Sequence, residues 1–184
     1  MTNNPKEKPF ELEFLDLNWV TPELAVASDA CNSKGFDFLA KELKINALVD
    51  LRWEGRHDAS LVAKSGIELL YLPTNDQDAV SQEDLWKAVR WINNVITKNQ
   101  KVVIHCTYGI GRSVLLACCV LVSQGSTPLQ AFAAVRKARS KAAPTHQQLE
   151  ALLTWSKNWY KTQNRVFPDV SIFDLIAEYL SLKD

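Results

Sequence analysis

The sequence predicts an α/β fold: a mostly parallel central sheet flanked by helices, with an extra helix at the C-terminus. Three observations predict it. Short runs rich in Val, Ile and Leu alternate with longer stretches whose apolar residues recur every three or four positions, the order of repeated strand and helix units. One such run, Val102-Val103-Ile104, leads through a loop with two glycines into a second apolar stretch from Val114. A length of 184 residues, 47 % of them hydrophobic, suits one well-cored domain and not two.

Taken in order, residues 1–12 read as a flexible polar lead. Phe14 to Val20 alternates apolar and polar residues, and Thr21-Pro22-Glu23 turns into Leu24-Ala25-Val26-Ala27, so two short strands are expected at a sheet edge. Phe36, Leu39, Ala40 and Leu43 then recur at helical spacing. Asn46 to Leu51 suits a buried parallel strand. Arg52 to Asp58 leaves its C-terminal end, where open α/β sheets place ligands, so Arg52, Arg56 and His57 are either substrate contacts or part of a solvated connector. A brief helix through Leu61 and Val62 precedes a strand from Ile67 to Leu72, which Pro73 is expected to stop.

Ser81 and Asp84 form a capping-box pattern, and Leu85, Val89, Ile92 and Ile96 follow as one stripe of a long amphipathic helix in which Trp86 and Trp91 pack. Lys101 to Ile104 returns as the central strand. Val114 to Val122 is apolar on every side, a buried helix that holds Cys118 and Cys119 as core residues. Thr127-Pro128-Leu129-Gln130 opens another helix, with Phe132, Val135 and Ala138 facing inward. Arg136, Lys137, Arg139 and Lys141 at its end read as a solvated, dipole-complementing cluster that could also attract an acidic substrate. Pro144-Thr145 starts the next helix, with His146 on its surface and Leu149, Leu152, Leu153 and Trp159 as its apolar side. Lys161 to Arg165 reads as a linker, and Asp169 as the start of a last amphipathic helix whose Ile172, Phe173, Ile176, Tyr179 and Leu180 must dock on this domain or on a partner.

The chemistry concentrates in His105-Cys106-Thr107-Tyr108-Gly109-Ile110-Gly111-Arg112-Ser113. Five residues between Cys106 and Arg112 allow a tight half-circle whose backbone N–H groups converge on one anion, with a helix N-terminus behind it. Gly109 and Gly111 permit positive φ and close approach of backbone to a ligand. Arg112 offers a planar fork for two phosphate oxygens. A cysteine at that position, beside a guanidinium, is set up as a thiolate nucleophile. Ser113 can donate to the sulfur, and His105 orders the loop by hydrogen bonds. Attack on a phosphate ester also needs a proton for the departing oxygen, and Thr74-Asn75-Asp76-Gln77-Asp78 supplies two candidates, Asp76 and its rival Asp78.

These nine residues resemble the His-Cys-x5-Arg-Ser signature of the cysteine-dependent dual-specificity phosphatases, within the protein tyrosine phosphatase superfamily. The element order is similar more loosely from Leu24 to Tyr160. The resemblance implies a protein-tyrosine-phosphatase-like fold and hydrolysis of phosphomonoesters through a phosphocysteine, with Cys106 and Arg112 catalytic, residues 107–112 binding phosphate, and Asp76 best placed as the acid. It also implies a glutamine near Gln148 that positions water; by its own position, Gln148 reads as the capping partner of Thr145. The division is then a lead at 1–12, a catalytic domain at 13–160, and a linker with a C-terminal helix at 161–184.

Lys plus Arg equals Asp plus Glu at 21 each, so no global field draws the chain to nucleic acid. The polar N-terminus lacks a signal peptide's apolar core, and no run approaches membrane-spanning length, which points to a cytoplasmic protein. Four cysteines show neither disulfide-framework density nor zinc-site spacing, so neither metal nor cofactor is expected. Phosphorylated protein or a small phosphomonoester is the expected substrate, with the last helix a possible interaction surface. A loop interior of Thr107, Tyr108 and Ile110, without lysine, argues against multiply phosphorylated headgroups and leaves monophosphorylated lipid open. A non-catalytic phosphate-binding protein is the third reading.

Overall fold

The computed structural model describes residues 16–29 and 33–181. The lead at 1–12, Phe14 and Leu15 of the first expected strand, and Cys31 lie outside the described residues. Five strands form one sheet in the order β1-β2-β5-β3-β4: β1 (Leu17–Trp19), β2 (Leu24–Ala27), β3 (Ile45–Arg52), β4 (Glu68–Thr74) and β5 (Lys101–His105). Only β1 runs antiparallel to its neighbour; the pairs β2 with β5, β5 with β3, and β3 with β4 are parallel. Of the two short strands expected at the edge, β1 is there and β2 is internal. Pro73 does not stop β4, which continues through Thr74. As an edge strand, β4 tolerates a residue without an N–H.

The helices cover both faces, as a parallel sheet requires. Along β5, Val102 and Ile104 point into a large core and Val103 into a smaller one, the period of two that puts alternate side chains on opposite faces. The smaller core holds Phe36 and Leu39 of α1 (Ser33–Lys41) and Val62 of α2 (Ala59–Lys64). The larger is built by α3 (Gln82–Ile96), α4 (Arg112–Ser123), α5 (Pro128–Ala138) and α6 (His146–Thr162). Helix α4 lies in the middle with every residue from Arg112 to Val122 buried, Cys118 and Cys119 among them, which explains its unbroken apolar run.

Local signals start these helices where they were read. Thr127 with Gln130 and Thr145 with Gln148 form complete capping boxes. Ser81 accepts from the Asp84 N–H, but Asp84 takes the Ser81 hydroxyl in return, so only half a box forms. Two boundaries differ from expectation. Helix α6 extends into the stretch read as a linker, as far as Thr162, and α7 (Ile172–Ser181) begins three residues after Asp169 because Ser171 and Asp174 supply the reciprocal N-terminal bonds.

Helix α7 docks on α5 and α6, with Leu175 buried and Ile172, Ile176 and Tyr179 partly so, while Phe173 and Leu180 stay exposed. In the basic cluster at the end of α5, Lys137 and Lys141 are exposed as expected, but the two arginines are not. Arg136 is buried, lies over the Tyr179 ring and donates to the Glu178 carbonyl, and Arg139 is sealed in the interior.

Between α3 and α6, Trp155 stacks on Trp159 with ring centroids 5.5 Å apart, and Trp86 packs against both. Trp155 is fully buried, and among the described residues its Nε1–H has no partner. Trp155→Ala should therefore destabilise by about 3–5 kcal/mol in urea unfolding. Trp155→Phe, which removes the orphaned donor and keeps most of the volume, should cost less than about 1.5 kcal/mol. Equal losses would show that the indole N–H matters more than its packing.

Candidate active site

At the end of β5 the chain makes a half-circle from Cys106 to Gly111 and enters α4 at Arg112. Gly109 takes φ +66°, and a Cβ there would lie 2.6 Å from the Ala27 carbonyl oxygen, so the turn requires glycine. The Cys106 sulfur is almost wholly buried, accepts from the Gly109 N–H at 3.2 Å and sits 3.4 Å from the Ser113 hydroxyl. Loop and helix thus hold the sulfur between a backbone donor and a side-chain hydroxyl.

Arg112 is 1 % exposed. Its Nη1 donates to Glu54 at 2.9 Å and to the Thr74 carbonyl at 2.7 Å; its Nη2 donates to Glu54 at 2.6 Å and to Asp76 at 2.9 Å. Burial alone would lower the guanidinium's pKa, but the Glu54 bonds and the Cys106 and Asp76 charges raise it, so it stays charged. Glu54, which also accepts from the Thr107 hydroxyl, is held at about 2, chiefly by Arg112.

Glu54 was not among the residues singled out in the sequence. It is the one acid between Arg52 and Arg56 at the ligand-bearing end of β3, and that was the available signal. The three residues considered there do not line the cleft. Arg52 is buried and bridges Asp50 and Asp29, Arg56 lies 4.8 Å over the Tyr71 ring, and His57 is buried against Phe36 and His105.

A cleft of about 300 Å³ opens over the loop, lined by Asp76, Gln77, Cys106, Tyr108, Ile110, Gly111, Arg112, Ala143, Thr145 and Gln148. The two candidate acids separate here. Asp76 faces the cleft; Asp78 lines a different groove beside Trp53 and accepts from Asn75. Gln148 fits both of its readings: Oε1 accepts from the Thr145 N–H, Nε2 donates to the Asp78 carbonyl, and the side chain borders the cleft.

Beneath the loop, His105 and His57 approach Nε2 to Nε2 at 3.1 Å, with an Asp50 oxygen 3.4 Å from His105. Asp29, His57 and His105 are the one set of metal-type donors that come together among the described residues. Arg52 already supplies the cation at that point, through Asp29 and Asp50.

Residues 30–158 match the family model for the dual specificity phosphatase catalytic domain. A probable protein tyrosine phosphatase type IVA B of Dictyostelium discoideum is 32 % identical over 98 residues, 51 % of this chain and 59 % of that protein, so the match spans little more than half the relative's length. Among solved structures, Tk-PTP in its active form superposes with a TM-score of 0.71 at 28 % identity, over 77 % of this chain and 97 % of that one. PTPMT1 in complex with PI(5)P gives 0.76 at 19 % identity, over 80 % and 99 %, which shows a shared fold.

Burial lowers the pKa of both histidines, that of His105 to about 3, so His105 is neutral in the folded chain above that pH. From the ordinary value of 6.5 down to about 3, the unfolded chain binds a proton at His105 that the folded chain does not. Stability must fall as pH drops through that window, by up to about 1.4 kcal/mol per pH unit from this group. His105→Asn should flatten the slope of denaturant stability against pH between 6.5 and 4; an unchanged slope would mean that His105 is not held neutral.

Proposed function

Because the chain belongs to the dual specificity phosphatase catalytic-domain family, we propose that it hydrolyses phosphomonoesters through a phosphocysteine. One observation carries this reading: Cys106 and Arg112 are held by the same turn of backbone, at the floor of a cleft that Asp76 borders. The thiolate of Cys106 attacks phosphorus; the S–P bond forms as the ester P–O bond breaks. Asp76 protonates the departing oxygen. Water, activated by the same carboxylate and aligned by Gln148, then attacks the phosphocysteine. The S–P bond breaks, and the electron pair returns to a sulfur that the Ser113 hydroxyl and Gly109 N–H stabilise.

Arg112 has both Nη groups engaged, and the edge shared with Asp76 is the one that changes partner. An entering phosphate oxygen takes Nη2 and frees Asp76 for the leaving group. Glu54 and the Thr74 carbonyl keep the other edge fixed, so the fork stays aligned in the transition state.

Among the described residues, the cleft offers Arg112 as its one cation, together with the aromatic and aliphatic surfaces of Tyr108, Ile110 and Ala143. That chemistry fits a single phosphate on an apolar or aromatic group, and phosphotyrosine in a protein fits it best. A monophosphorylated lipid is the second reading, favoured by the same apolar lining. A catalytic thiolate works in reducing surroundings, in keeping with a cytoplasmic location.

Cys106→Ser should abolish hydrolysis of an aryl phosphate and leave the circular dichroism spectrum unchanged. Turnover that persists, or phosphate binding by the wild type without turnover, would remove the hydrolytic reading. Phosphopeptides and phospholipid headgroups assayed side by side separate the two substrate classes.

Asp76→Asn should slow an alkyl phosphate by about a hundredfold, and an activated aryl phosphate far less, because only the poor leaving group needs its proton. Asp78→Asn should stay near wild type. The reverse pattern would transfer the acid's role to Asp78.

A further inference from the structure

The carbonyls of the phosphate loop are accounted for one by one. Thr107 O accepts from the Asp29 N–H at 3.0 Å, Ile110 O from the Ala143 N–H at 2.8 Å and Gly111 O from the Leu115 N–H at 2.9 Å. The remaining two, Tyr108 O and Gly109 O, accept from the side chain of Arg139, through Nη2 at 3.2 Å and Nε at 2.5 Å. A peptide unit is planar, with its C=O and the following N–H pointing opposite ways. Drawing these two carbonyls outward therefore turns the N–H groups of Gly109 and Ile110 toward the anion. The Gly109 N–H does point to the Cys106 sulfur.

We propose that Arg139 is a positioning residue for the phosphate loop, setting two of the backbone donors that bind the transferred phosphoryl group. The proposal rests on the phosphatase reading above. It goes beyond it by giving a role in the reaction to a side chain that lies behind the loop and does not line the cleft.

Three features fit this role. Arg139 is 1 % exposed, and a Cβ on Gly109 would lie 2.4 Å from its Nη2, so the guanidinium packs flush against the loop. Its charge is balanced at a distance from the cleft: Nη1 donates to Asn18 at 2.7 Å and Nη2 to Asp16 at 2.8 Å, and Lys141 reaches the same carboxylate. Burial would raise the pKa of Asp16, but bonds from Arg139 and Lys141 bring it to about 2, so the ion pair persists at working pH. Lastly, only a guanidinium can use Nε and both Nη groups on five oxygens at once; an ammonium has neither the number nor the spread of donors.

Arg139 could instead merely fasten α5 to β1. The two roles differ in what a variant does to each correctly folded site. The test measures kcat and KM for an aryl phosphate and the inhibition constant for orthovanadate, all per active site counted by iodoacetate labelling of Cys106. Arg139→Gln and Arg139→Lys should each weaken vanadate binding and lower kcat/KM by about tenfold to a hundredfold per labelled site. Vanadate binding equal to wild type, with loss confined to thermal stability or to the number of active sites, would overturn the proposal.

If neither variant folds, Asp16→Asn is measured in their place, since it loosens the anchor of the guanidinium and leaves the loop sequence intact. At least threefold weaker vanadate binding supports the proposal, and unchanged binding overturns it. A wild type that binds vanadate without hydrolysing any phosphate ester would sink the phosphatase reading, while the binding comparison would still decide the role of Arg139.

Discussion

The structure depends on keeping one positive charge almost out of water. A guanidinium as buried as that of Arg112 is costly unless its donors are met, and two carboxylates and a backbone carbonyl meet them. Those partners come from distant parts of the chain: Glu54 follows β3, Thr74 ends β4 and Asp76 lies on the next loop. The parallel sheet carries the C-terminal ends of β3, β4 and β5 to one edge, and only there can the three loops converge. The fold answers the electrostatic demand, and the helices on either face hold the sheet that makes it possible.

The same logic repeats behind the loop. Cys106 lies between two layers of buried charge, Arg112 with Glu54 and Asp76 in front and Arg139 with Asp16 behind. Under them the His57–His105 pair and the Asp50–Arg52 ion pair fill the end of β3 and β5. A loop of five residues with no side-chain core of its own is rigid because every one of its outward carbonyls has a partner.

Features governed by near neighbours were legible in the sequence. The apolar run of β5, the all-apolar α4, the two Thr-x-x-Gln capping boxes and the spacing of Cys106 and Arg112 all depend on residues a few positions apart. Features governed by remote partners were not. Arg139 looked like a solvated helix end because nothing local shows that Asp16, 123 residues earlier, will bury and neutralise it. Glu54 stood among charges that resembled a rim, and its pairing with Arg112 closes across 58 residues. Asp169 resembled a helix start, yet Ser171 and Asp174, two and five residues on, made the better reciprocal cap.

Gln148 joins three parts that a mobile-lid enzyme would keep apart. Its amide caps α6 and holds the Asp78 carbonyl, Thr145 beside it holds the Gln77 carbonyl, and Gly111 passes so close that a methyl group would lie 2.5 Å from the amide oxygen. The segment carrying Asp76 is therefore stitched down through the Gln77 and Asp78 carbonyls before any substrate arrives. On the reading proposed above, the Asp76 proton is delivered with no hinge swing, and the entropy of arranging acid, nucleophile and water is spent once, when the chain folds.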